Sequence, residues 1–232
     1  MREISDELYF LSQDELIVLL ATKGIESVYL LNNGKVSLEE KDILYAVNHL
    51  FQSQLIEGNN DKFRICEPLN TMLTDLCNAG KLLILRKLEH DVESICVYQS
   101  ETYCVVLHWD ERRRNKVEIS SQTMQDVEEL FMEYTTFEKE YAPVLEEEDG
   151  IRQILEETHP VDNGELLRFH NVPLLFEMMD LETKKVKEKV IVQIKEKETI
   201  IVSKSSKNQE VEEYKEDTLQ KRVEFLLEVN EE

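Results

Sequence analysis

Four cysteines, five histidines and one run of arginines are the residues of this chain whose types could carry chemistry, and their spacing limits what that chemistry would be. Cys66, Cys77, Cys96 and Cys104 contain no C-x-x-C pair, and no histidine stands near enough in sequence to complete a zinc site with them. Cys96 and Cys104 flank an expected hairpin turn, where they would face each other across two strands; with no export signal in view, reduced and partly buried thiols are expected. A catalytic thiol needs a base and positive surroundings, and neither is visible beside any of the four.

The histidines are His49, His90, His108, His159 and His170, and no two have H-E-x-x-H, H-x-E or other paired ligand spacing. His49 falls inside an expected helix and reads as a surface or core-edge residue. His108 stands beside Trp109 on an expected strand, where a site role is the alternative to a structural one. Dinucleotide, Walker and nucleophile-elbow patterns are absent. The glycines fall at helix ends and turns, and Gly34-Lys35 and Gly80-Lys81 lack the preceding loop and following hydroxyl that phosphate binding requires. Glu146, Glu147, Glu148 and Asp149 would suit a hard cation, but without an alternating pattern or a loop glycine they read as a solvated acidic run. Arg112, Arg113 and Arg114 would suit an acidic partner or a phosphate; a solvated turn is the plain alternative. No catalytic, cofactor-binding or metal residue is nominated, no cofactor is expected, and the chain reads as a binding protein and not an enzyme.

The balance of charge narrows the partners. Among 232 residues, 49 Asp and Glu outnumber 27 Lys and Arg, a net charge of −22, and the parts before and after Phe137 carry −11 each. Neither half is basic, which argues against binding nucleic acid through its phosphates and against an anionic membrane surface. No apolar run approaches the roughly 18 residues of a spanning helix, and the opening Met1-Arg2-Glu3-Ile4-Ser5-Asp6-Glu7 does not read as a signal peptide. A soluble, cytoplasmic protein is expected, and 41% hydrophobic residues suffice for a core.

The elements that would hold these residues read as follows. Ser12 with Glu15 has the form of a capping box and opens a helix that Gly24 would end in a left-handed conformation. Ser37 with Glu40 repeats the form and opens a longer helix with Ile43, Leu44, Val47, Leu50, Phe51 and Leu55 on its apolar face, stopped by Gly58. A strand over Lys62–Cys66, a helix over Leu69–Cys77 and a strand over Lys81–Leu88 follow. From Ser94 the pattern becomes paired strands: Ser94–Gln99, Tyr103–Trp109 and Lys116–Ser120, then a helix capped by Ser121. A helix around Ile151–Glu157 precedes strands at Val190–Ile194, Thr199–Val202 and Glu210–Tyr214 and a closing helix with Leu219, Val223, Leu226 and Leu227.

The last strands and helix restate the earlier set. Glu101-Thr102 lines up with Glu198-Thr199 at an offset of 97 residues, and Val127, Leu130 and Phe131 with Val223, Leu226 and Leu227 at 96. The expected fold is α+β: a largely antiparallel central sheet with pseudo-repeated hairpin–strand–helix units and peripheral helices. Its sections would be a helical, winged-helix-like part (1–90), a first unit (91–137), and an acidic helical section with the second unit (138–232), in one compact body.

Leu11-Ser12-Gln13-Asp14-Glu15-Leu16 with Val18-Leu19-Leu20, then helix, Gly58, strand and Pro68-Leu69, then the hairpin Ser94–Trp109 with a further strand and helix, together resemble the EspG-like chaperones of ESX (type VII) secretion. The resemblance implies a pseudo-two-fold sheet with helices around it, and a cytosolic chaperone that holds a helical secretion substrate soluble and delivers it. It implies no particular binding residue. The surface expected to meet the partner is the helical section Glu138–Gly164 with the hairpin Val190–Val202, as helix-in-groove or strand-edge recognition requires. The competing reading is a winged-helix transcriptional regulator with Leu16–Leu88 on DNA and a C-terminal sensor or dimerisation domain. Against it stand Glu39, Glu40 and Asp42 on the second helix, which shows no basic recognition stripe.

Overall fold

The computed structural model describes residues 8–24, 38–59, 62–88, 92–100, 103–110, 116–135, 148–168, 172–194, 198–205 and 208–228. Strand β1 (Leu8–Ser12) runs straight into helix α1 (Gln13–Ala21), and Ser12 serves both as the last strand residue and as the helix cap. The Glu15 N–H donates to Ser12 Oγ at 3.2 Å and the Ser12 N–H donates to Glu15 Oε2 at 2.6 Å, the reciprocal box expected from the sequence. Gly24 follows at φ +76, the left-handed conformation that glycine takes without strain.

Helix α2 (Glu40–Gln52) departs from expectation at both ends. Its cap is Glu39, whose side chain makes no capping bond; Ser37, expected there, lies outside the described residues. The helix closes at Gln52 because Gln54 turns left-handed (φ 59) and the Leu55 N–H reaches back to the Leu50 carbonyl. Gly58 therefore stops no helix. It lies in β2 (Ile56–Asn59), paired antiparallel with β3 (Lys62–Ile65), where the Phe51 ring packs so close that a Cβ on Gly58 would meet it at 3.2 Å. Helix α3 (Leu69–Cys77) begins after Pro68, as expected.

A meander of β4 (Lys81–Leu88), β5 (Val92–Gln99), β6 (Cys104–Asp110) and β7 (Lys116–Gln122) leads into α4 (Met124–Glu133). The cap of α4 is Thr123, boxed with Asp126; Ser121, expected there, still belongs to β7. After α5 (Glu148–Glu156) and the short α6 (Asn163–Leu166), a second meander of β8 (Leu174–Asp180), β9 (Lys185–Ile194), β10 (Thr199–Ser205) and β11 (Gln209–Glu213) ends in α7 (Glu216–Glu228). Strands β1, β2 and β8 had no counterpart among the expected elements.

The fold is α+β. Among the described residues, nine strands form one wholly antiparallel sheet in the order β1-β7-β6-β5-β4-β8-β9-β10-β11. The β4–β8 pair joins the two meanders at the centre, and each meander runs outward from it. The hairpins β5–β6 and β9–β10 close at Gln99–Cys104 and Ile194–Thr199, an offset of 95 residues, so the sequence match at 97 lies two residues out of hairpin register.

Alternation along the strands gives the sheet two buried faces. On one, Leu82, Ile84 and Leu107 pack under α1, α2 and α3 with Leu16, Leu50 and Leu73, while Leu175, Ile191 and Ile200 pack under α5 and α6. On the other, Leu83, Phe176 and Val192 meet Val127 and Phe131 of α4 and Leu219 and Val223 of α7. Each such aliphatic side chain contributes roughly 1.5–3 kcal/mol by leaving water.

Candidate partner-binding surface

The residues with chemical potential are dispersed. Cys96 does not face Cys104: Cys96 stands opposite Leu107 in the core beneath α1 and α3, whereas Cys104 stands opposite Gln99 on the other face, beside Met124. Burial pushes the Cys96 thiol up to about 12 and that of Cys104 up to about 11, so neither supplies a thiolate. Cys66 and Cys77 are in no disulfide. His49 bonds the buried Glu15 carboxylate, which pins α2 to the cap of α1. His108 Nε2 lies 2.7 Å from Glu93 Oε1, which also accepts the Tyr134 hydroxyl at 2.8 Å. The bond to His108, with that to Tyr134, holds the Glu93 carboxyl below its ordinary value despite partial burial. His159 is exposed. His90, His170, Gly34-Lys35, Arg112, Arg113, Arg114, Glu146 and Glu147 lie outside the described residues, as do the side chains of Glu148 and Asp149. Lys81 is the first residue of β4 and no part of a phosphate loop. Among the described residues no group of His, Cys, Asp and Glu side chains could hold a metal ion.

The densest polar cluster is one that sequence reasoning missed. Arg86 of β4 donates from Nη1 to Glu177 Oε2 of β8 at 2.6 Å, and Lys189 of β9 lies 3.1 Å from Glu177 Oε1. The Val161 N–H reaches the same carboxylate at 3.2 Å, Lys189 Nζ donates to the Ile154 carbonyl at 2.7 Å, and Arg86 Nε donates to Asn163 Oδ1 at 2.8 Å. Three charged side chains under the helices thus fasten α5 and α6 to the centre of the sheet. Only Glu177, a lone charge inside Leu174–Met179, left a signal in the sequence; Arg86 stands beside Lys87 and Lys189 beside Glu188, where each reads as an ordinary charged position.

This fastening fixes what the expected partner surface can offer. The described part of Glu138–Gly164 turns Ile151, Ile154 and Leu155 inward, and the hairpin Val190–Val202 is interior to the sheet, with Ile191, Val192 and Ile201 wholly buried. A cleft of about 50 Å³ between Gln153, Ile154, Glu157, Val161, Glu165 and Arg168 is far below the roughly 300–1,000 Å³ of a small-molecule site. The open edges of the sheet are instead β1 and β11. β11 carries Glu210, Glu212 and Glu213, with Arg222 bonded to Glu210 and Glu212; β1 is uncharged and exposes Leu8 and Phe10. Ile43, Leu44 and Tyr45 of α2 and Phe63 of β3 are also exposed apolar side chains.

The sheet is packed on both faces, and large apolar side chains stay exposed on α2, β1, β3, β11 and α7. No protein-family model matches the chain, and no curated protein matches it. Among solved structures, the chain is similar to the Mycobacterium tuberculosis type VII secretion system chaperone EspG5, solved in complex with a PE25–PPE41 dimer. The likeness has a TM-score of 0.60 and covers 95% of this chain and 96% of that one, at 10% identity. The chain therefore has an EspG-like fold, as its sequence resemblance implied.

Proposed function

We propose that this chain is a non-enzymatic chaperone of the type VII secretion kind, which binds a helical protein partner and holds it soluble in the cytosol. The observation that carries this reading is the fold likeness to EspG5, which extends over nearly the whole of both chains and which was solved in complex with a PE25–PPE41 dimer. The net charge of −22 supports it by keeping a protein with exposed apolar areas apart from its own copies and from acidic bystanders. Among the described residues no helix is long and apolar enough to cross a membrane, which accords with work away from the bilayer. The two meanders, each followed by a helix, accord with the same reading.

The regulator reading has no comparable support. The strand β4 that it assigned to a DNA-reading unit is hydrogen-bonded on both sides within the nine-stranded sheet, and α2 opens with Glu40 and Asp42. Co-expression tests the proposal: a PE/PPE-type helical pair encoded beside this chain, insoluble without it, is expected to become soluble and to elute with it as one complex. Unchanged solubility and separate elution would overturn it.

A further inference from the structure

Strand β11 is an open edge of the sheet, and the bonds at its two ends fix where its backbone groups point. The Tyr214 N–H donates to the Thr199 carbonyl at 2.8 Å, and the Ser205 N–H donates to the Asn208 carbonyl at 2.8 Å. Both lie in the register of the β10–β11 pair, so hydrogen-bonded and open positions alternate between them. Glu210 and Glu212 therefore turn their N–H and C=O groups toward β10, whereas Gln209, Val211 and Glu213 turn theirs outward, where no described strand lies. Such a row is a template for a further strand. The opposite edge offers less, because Ser12 of β1 already donates its N–H to the Glu15 carboxylate.

The side chains of this edge select its occupant. Leu175, Ile191, Val202 and Val211 stand opposite one another in turn across β8, β9, β10 and β11. The first three are buried beneath α5 and α6, and the row ends at Val211, which is 58% exposed. An apolar residue on a further strand would continue the row. On the other face Glu210 and Glu212 share the one Arg222 guanidinium, so a negative charge remains between them. Lys204 of β10 stands opposite Gln209, toward the Val211 face. A second copy in full overlap, paired through Val211, would set Glu210 directly against the partner's Glu212 and Glu212 against the partner's Glu210. Those are the narrow pairs, where side chains come closest and like charges repel most. We propose that the β11 edge takes an extended segment of another protein as a further strand, with a β-branched residue opposite Val211 and Lys or Arg opposite Glu210 and Glu212. This goes beyond the proposed function, which concerns a helical partner, and does not rest on it.

The test titrates the full chain into a labelled peptide of about nine residues, lysine alternating with valine. Anisotropy is read near 0.15 M salt, where the screening length is about 8 Å and general attraction to an acidic protein is damped. Methylation of the central valine amide, which would face β11, is expected to weaken binding about tenfold; methylation of a neighbouring lysine amide, which would face solvent, should change it by less than about twofold. A peptide of glutamate alternating with valine should bind about tenfold more weakly than the lysine peptide. Val211→Pro removes an outward N–H at an edge position that accommodates proline, and is expected to weaken binding about tenfold. Leu8→Ser/Phe10→Ser, at the other edge, should leave it within about twofold. Equal binding of the two methylated peptides to the native chain overturns the inference whether or not Val211→Pro folds. Absence of binding, equal binding of the lysine and glutamate peptides, or full binding by a folded Val211→Pro chain overturns it too. A dimer of the native chain in sedimentation that Val211→Pro dissolves would assign the edge to a second copy and likewise overturn it.

Discussion

Arg86 and Glu177 meet at 2.6 Å across the two central strands, with side chains 3% and 0% exposed, and the Lys189 ammonium closes on the same carboxylate from the next strand. One carboxylate therefore neutralises parts of two cations in a place water does not reach. Removing it leaves both cations uncompensated, whereas removing all three leaves an apolar layer.

Glu177→Leu is accordingly expected to lower the free energy of unfolding by about 3–5 kcal/mol, and Arg86→Met/Glu177→Leu/Lys189→Met to lower it by less. Urea denaturation of the two variants checks this. Hydrogen exchange in α5 should also quicken in Glu177→Leu, because Lys189 and Val161 tie that segment to the sheet through this carboxylate.

Glu188 lies beside the bulge between β8 and β9, and burial raises its carboxyl from 4.5 to about 7. The folded chain then binds more protons here than the unfolded chain between those values. Stability contributed by this residue is therefore greatest at the acid side of the window and falls as pH rises through it. Glu188→Gln should raise the unfolding temperature at pH 8 and leave it nearly unchanged at pH 4.5. A variant that destabilises equally at both values would contradict the assignment.

Gly58 and Phe51 form a local fit that a single methyl group would disturb. Gly58→Ala is expected to cost about 1–3 kcal/mol by overpacking. The same change in a Phe51→Leu background should cost less, which a double-mutant cycle on thermal unfolding reads directly.

Thiol labelling gives a simpler check on the packing. In the native chain at neutral pH, iodoacetamide should modify the exposed Cys77, while Cys96 and Cys104 should react only after unfolding.

Much of this architecture was legible because its elements announce themselves locally. The Ser12–Glu15 box, Pro68 before α3, and the apolar, turn-bounded strands of the first meander are written in neighbouring residues. Strand β8 was not legible for the opposite reason. Leu-Leu-Phe-Glu-Met-Met is buried on both faces, so no alternation marks it, and Glu177 inside the run reads as a solvated break until Arg86 and Lys189 are seen around it. Strand β1 is defined by β7, more than a hundred residues away in the chain.

The surface divides in the same way. Ile43 and Leu44 were legible as apolar helix positions and were counted toward the core; only the packing of α1 and β2 against α2 reveals that Ala46 and Leu50 fill it and that Leu44 stays outside. The hairpin Val190–Val202 was apolar enough to suggest a binding edge, and is apolar because helices cover it on both faces of the sheet while strands β8 and β11 flank it.

The central claim is that this chain binds a helical protein as a secretion chaperone. Affinity capture of the native chain from lysate of its own cells, followed by mass spectrometry and a measurement of stoichiometry, tests it most directly. The account predicts a stoichiometric helical protein with a secretion signal, crosslinked to the chain at defined positions. Recovery of nucleic acid, or of no stoichiometric protein, would contradict it.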